Sequence, residues 1–215
     1  MLTRFVCLAN SFKEGGRCLA GIVLDNNNKP VIENALPKWI RPVSNTPHGV
    51  VPVELVTEVE VPDIIEIEIT DPIPDGYQSE NVLFNFDSIK IVGKLPHADL
   101  IHFCEDAKMI FENTRKAIHE TKIGFLTYSL IFICVDKFEV TESKKFGKLK
   151  RRLVFAYNGH AYDLPITDPL FLYHYQTDST FLKNADKLFL TLSMSVPFSD
   201  GFCYKLVACI LTDKN

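Results

Sequence analysis

Short apolar runs separated by polar, glycine- or proline-containing breaks recur along most of this chain, as strands joined by turns require. Phe5 to Ala9 is a short apolar run and predicts a first strand, and Arg17 to Leu24 predicts its return. Between them lies Asn10-Ser11-Phe12-Lys13-Glu14-Gly15-Gly16, whose paired glycines suit a tight turn. Asp25 to Pro30 reads as a loop. Lys38 to Val43 predicts a third strand, with Trp39, Arg41 and Val43 on one face and Ile40 on the other. From Ile65 on, Ile-Glu-Ile-Glu-Ile alternates at period two and predicts a half-buried strand with Glu66 and Glu68 outward. Val82 to Phe86 and Ser88 to Val92 predict two further short strands.

The period changes at Leu95 to Ile118. Leu100, Ile101, Cys104, Ala107, Met109, Ile110 and Ile118 can share one broad helical face, so a connecting helix is expected there. Strand patterns then resume. Leu126 to Val140 is long and apolar, Lys144 to Gly147 fits a hairpin loop, and Arg152 to Tyr157 returns. Asn158-Gly159 is a hairpin dipeptide before His160 to Ile166. Residues 167–186 suggest a long loop with a helical turn, and Lys187 to Val196 and Tyr204 to Thr212 close the pattern. The fold class expected is mainly β with some helix: two small OB-like β-barrels joined by a helix. The expected division is 1–95 for the first barrel, 96–120 for the connecting helix and 121–215 for the second. A continuous β-sandwich is the competing arrangement.

Composition changes this picture little. No apolar run reaches the 18 to 20 residues, roughly, that span a bilayer, and no signal peptide is apparent, so a cytoplasmic protein without membrane contact is expected. The six cysteines form no C-x-x-C pair, which favours reduced core thiols over a disulfide framework or a metal site. Charge is uneven. Residues 1–100 hold 8 basic and 14 acidic side chains, against 15 and 13 in residues 101–215, and the later excess concentrates in Lys144 to Arg152.

Three groups could carry recognition. Trp39 and Arg41 could stack a base and grip a phosphate, or sit in the core against a buried carboxylate. Asn10, Ser11, Lys13 and Arg17 surround the glycine turn, where amides and a cation can hold an anion, or simply cap a hairpin. Lys144, Lys145, Lys148, Lys150, Arg151 and Arg152 could neutralise phosphates from a hairpin tip, or form a solvated loop. No triad, phosphate loop or metal spacing is apparent, so no catalytic residue, metal or cofactor is assigned and no enzyme is expected.

Three stretches, read together, resemble a known family. They are Val6-Cys7-Leu8-Ala9-Asn10-Ser11 with Gly16-Arg17-Cys18-Leu19-Ala20-Gly21, then Trp39-Ile40-Arg41-Pro42-Val43-Ser44, then Gln78-Ser79-Glu80-Asn81. Phe155-Ala156-Tyr157-Asn158-Gly159, Tyr162 to Asp168 and Phe202 to Ala208 add to them. In that order they resemble the dual-OB domain family of bacterial two-barrel modules. The resemblance implies a non-enzymatic module that binds nucleic acid or a nucleotide-like ligand beside enzymes of a bacterial defence system. A protein-interaction adaptor in such a system is the alternative, which the acidic first half favours.

Overall fold

The computed structural model describes residues 1–46, 48–145 and 147–214, with the backbone alone at Lys145 and Lys148. The chain divides into two units, Met1–Glu105 and Asp106–Asn215, so the boundary falls inside the segment expected to connect them.

The first unit contains β1 (Leu2–Lys13), β2 (Gly16–Val23), a small hairpin of β3 (Ile32–Glu33) and β4 (Leu36–Pro37), then β5 (Trp39–Val43), β6 (Asp63–Pro72) and β7 (Asn81–Lys94). The large strands close a barrel in the order β1-β2-β5-β7-β6. Only β5 and β7 run parallel in it. Counted among barrel strands alone, the order is 1-2-3-5-4, the OB-like arrangement of a five-stranded Greek-key barrel. Period-two patterning sets which side chains enter. Phe5, Cys7, Leu19, Ile40, Ile65, Ile67 and Phe84 fill the interior, and Val51, Val56 and Val59 join the same core. Each large apolar side chain so buried contributes about 1.5–3 kcal/mol. Gly21 is needed where β1 and β2 approach. A Cβ there would stand 1.9 Å from the Val6 carbonyl oxygen.

The second unit contains β8 (Ala117–His119), β9 (Leu130–Val135), β10 (Phe138–Lys145), β11 (Lys148–Tyr157), β12 (His160–Pro165), α1 (Pro169–Thr177), β13 (Leu188–Met194) and β14 (Phe202–Thr212). One sheet runs β10-β11-β12 and the other β8-β14-β13-β9. A parallel bridge from Ile166 to Val207 joins them. Taking β9 and β10 as one strand bent at residues 136–137, this unit repeats the strand order of the first. Asp168 starts α1 by accepting from Phe171 N at 3.0 Å, and its other oxygen accepts from Ile210 N at 2.9 Å. Pro169 follows at the first helical position. Burial raises the Asp168 carboxyl above its ordinary value, against the amide bonds it accepts.

Three expectations need correction. Val82–Phe86 and Ser88–Val92 are one strand, β7, with register shifts against β6. Leu126–Val140 is two strands, broken before Phe138. The α-helix expected over Leu95–Ile118 is a 3-10 helix at His97–Phe103, a 3-10 turn at Ile110–Glu112 and then β8. Its apolar residues Leu100, Phe103, Ile110 and Phe111 are buried as the pattern implies. The backbone, however, bonds to side chains of the second unit. Ala107 N donates to Tyr157 Oη at 3.1 Å and Ile110 N to Tyr162 Oη at 3.2 Å. Lys205 Nζ donates to the carbonyls of Ile110 and Asn113, at 2.7 and 2.5 Å. Phe111 and Glu112 take positive φ, 50° and 58°, which turns those carbonyls inward and ends any helix.

Candidate nucleic-acid interface

In the first barrel, β1 and β2 meet in a two-residue turn. Glu14 and Gly15 both have positive φ, 41° and 84°, and Lys13 pairs with Gly16. Phe12 and Arg17 face each other across the hairpin, and the Arg17 guanidinium carbon lies 4.6 Å from the Phe12 ring centroid. Phe12 is 55% exposed, an aromatic face left to solvent beside a cation. Lys13 lies half-buried on the other face of β1. Burial pushes its ammonium below the ordinary value, and the nearby Arg41 charge adds to this against opposing contributions from Cys18, Glu14 and Asp75. Among the described residues, no carboxylate forms an ion pair with Lys13 or Arg17.

Asn10 and Ser11 do not join them. The Asn10 amide faces inward and donates to the carbonyls of Val56 and Val59, at 3.0 and 3.1 Å, holding the segment that fills the barrel end. Ser11 is buried against its partner Cys18 in β2.

Trp39 and Arg41 share the outer face of β5, since Ile40 enters the core, but they do not form the expected exposed platform. Arg41 is 1% exposed and its Nη2 lies 2.9 Å from Glu80 Oε1. Trp39 is half-buried and its indole N–H donates to Glu105 Oε1 at 2.9 Å. The physical reason is the connection between β6 and β7. It returns over this face, its Glu80 carbonyl accepts from Arg41 N at 2.8 Å, and its Glu80 carboxylate neutralises the guanidinium.

The cationic run forms the corresponding first hairpin of the second barrel, joining β10 to β11. Its arginines are committed. Arg151 pairs with Glu142 at 2.7 Å and lies over the Tyr175 ring, 5.5 Å from its centroid. Arg152 binds both Asp163 Oδ1 and the Asp163 carbonyl at 2.6 Å, and Lys116 reaches the same carboxylate. Lys144 and Lys150 are exposed, with no ion-pair partner among the described residues. The side chains of Lys145 and Lys148, also expected here, lie outside the described residues.

Of the expected site cations that are described, Lys13, Arg17, Lys144 and Lys150 therefore remain without a carboxylate in an ion pair, all on the first hairpin of a barrel. Phe12 joins them, and sequence reasoning missed it. The readable signal was an aromatic next to a glycine turn, in phase with Asn10 but beyond the end of the core. An open depression of about 380 Å³ beside β5 is lined by Val43, Ser44, Asn45, Thr70, Leu83 and residues 84–86. It holds no charged side chain and does not complement a phosphate. Among the described residues no group of three His, Cys, Asp or Glu side chains gathers as a metal site would. No helix among them is long and apolar enough to cross a membrane.

A family model described as "Dual OB-containing domain" matches residues 3–210. No curated protein gives a match. Among solved structures, the chain is similar to a murine DNA-binding protein bound with double-stranded DNA, at 7% identity and TM-score 0.36, over 98% of this chain and 95% of that one. It is also similar to tetrameric p202 HIN2, at 9% identity and TM-score 0.35, over 99% and 91%. A replication protein A heterotrimer bound to single-stranded DNA matches at 12% identity and TM-score 0.37, over 99% of this chain and 48% of that one.

Proposed function

This chain belongs to the dual OB-containing domain family, and on that premise we propose that it is a non-enzymatic module that binds single-stranded nucleic acid. The observation that carries the reading is where the open members of the two candidate cation groups fall. In both barrels they stand on the first hairpin, one of the loops with which OB barrels hold oligonucleotides. Lys13 and Arg17, with the Phe12 ring beside Arg17, do so in the first barrel, and Lys144 and Lys150 in the second. A cation beside an exposed ring suits a single strand, whose bases have free faces to stack and whose phosphates follow the charge.

The same reading places the module in the cytoplasm, in keeping with six free cysteines. It also makes the chain an accessory component of a bacterial defence system, as the family resemblance implies. Co-purification of an enzyme partner from the native host tests that last element, and a chain recovered alone would contradict it.

Fluorescence anisotropy with labelled single-stranded DNA and RNA of about 16 nucleotides, the upper end of one OB footprint, tests the binding itself. The expected result is binding at low salt that weakens steeply as salt rises. No binding at low salt contradicts the proposal.

A further inference from the structure

The two cation-bearing hairpins match in register as well as in place. In the first barrel the last cross-strand pair before the turn is Lys13 with Gly16, and the pair behind it is Phe12 with Arg17. In the second the last pair is Lys145 with Lys148, and the pair behind it is Lys144 with Leu149. The same position therefore holds one cation and one large apolar side chain in both, with the two strands exchanging roles. Phe12 is 55% exposed and Leu149 46%, and directly opposed residues have Cβ atoms about 4.5–5.5 Å apart. Each pair lies on the face that leads into its own core, for Arg17 is in phase with buried Leu19 and Leu149 with buried Leu153. Among the described residues, neither Arg17 nor Lys144 has a carboxylate in an ion pair. Residues 12–17 hold two basic side chains against the one acid Glu14, and residues 142–151 hold five against the one acid Glu142. Glu142 is itself bound to Arg151 at 2.7 Å. An apolar side chain half in water beside an open positive charge fits a ligand that brings a flat ring and an anion together, as each nucleotide of a single strand does.

We infer that Lys144 and Leu149 form a site for one nucleotide of a single strand, equivalent to the one made by Phe12 and Arg17, so that each chain holds two such sites. The inference rests on the nucleic-acid reading above and adds to it the apolar half of the second site and the number of sites. At each hairpin the apolar side chain covers the face of a base and removes it from water, while the cation takes the neighbouring phosphate. Leu149 lacks the π-face that Phe12 offers, so the second site stacks more weakly and relies more on charge. Its affinity therefore falls faster as salt rises.

Isothermal titration of the full chain at low salt with oligo(dT) of about six nucleotides, within the footprint of one OB barrel, counts the sites. Two oligonucleotides per chain are expected, and the weaker event should be the more salt-sensitive. Leu149→Ala should weaken that event several-fold and leave the other as it is, and Phe12→Ala should do the converse. Leu149→Phe supplies the missing ring. It should tighten the weaker event several-fold with an unchanged salt slope, a gain that a merely structural leucine would not give. Saturation at one oligonucleotide per chain overturns the second site and leaves the nucleic-acid reading intact. Equal or weaker binding by folded Leu149→Phe does the same. No binding of this strand, or of one of about 16 nucleotides, overturns both.

Discussion

Arg17 holds its guanidinium over the ring of Phe12, 4.6 Å from the centroid, where the first hairpin turns. One ring face is occupied by the cation and the side chain is still 55% exposed. A base stacked on such a ring is worth about 1–3 kcal/mol. Phe12→Ala should therefore weaken oligo(dT) binding by roughly 5- to 150-fold at every salt concentration, the conversion being about tenfold per 1.4 kcal/mol. Thermal stability should hardly change. Anisotropy titrations of folded protein check this.

Lys144 and Lys150 should behave differently. They are exposed charges on a hairpin, so their effect is on counterion release. Replacing both with Gln should reduce the magnitude of the slope of log K against log salt by about 1.4 on a single strand, near 0.7 for each. Neutralising Arg151 or Arg152 should instead disturb the pairs with Glu142 and Asp163.

Two arginines of the first barrel separate structure from recognition. Arg41→Met leaves the buried Glu80 carboxylate without its cation, which costs about 3–5 kcal/mol. Arg17→Met removes no ion pair and should change stability by less than about 0.5 kcal/mol. Urea denaturation of the two variants decides it, and equal losses would contradict the assignment.

Acid should act through Asp163. Burial pushes its carboxyl up, but Lys116 and Arg152 more than offset this and hold it below its ordinary value. A depressed carboxyl stabilises the fold above its unfolded pKa, about 3.9, and the contribution is lost as pH falls through the folded value. Asp163→Asn should therefore be less stable than the parent at pH 7, and the gap should close below about pH 4. Melting temperatures across that range test it.

Lys205 gives a pH dependence of the same sign in a higher range. It is 0% exposed, and burial lowers its ammonium from 10.5 to about 7. Between those two values the unfolded chain binds the proton that the folded chain lacks, so stability rises with pH. The neutral amine still has two N–H groups for the carbonyls of Ile110 and Asn113. Lys205→Met loses both bonds and this pH dependence. The melting temperature of the parent relative to the variant should increase from pH 7 to 10, and a flat difference would contradict the titration.

The barrel strands were legible where one face is buried and the other wet. Ile65 and Ile67 enter the core while Glu68 faces out, as period two requires. The Asn158-Gly159 turn, with φ of 47° and 78°, was legible for its local chemistry. The stretch before β8 was not. Its apolar spacing located the buried residues, but its conformation depends on Tyr157, Tyr162 and Lys205, distant in sequence. The candidate site divided in the same way. A two-residue spacing placed Trp39 and Arg41 on one face and could not show that Glu80 would cover it. The run Lys144 to Arg152 was visible as charge, whereas its division into paired arginines and open lysines depends on Glu142, Asp163 and the pairing of three strands.

The most direct test of the account is amide chemical-shift mapping of the isotope-labelled chain titrated with oligo(dT). The predicted result is that the largest shifts fall on residues 12–17 and on the hairpin around Lys144 and Lys150, fading as salt rises. Shifts that leave both hairpins unmoved while binding saturates would contradict it.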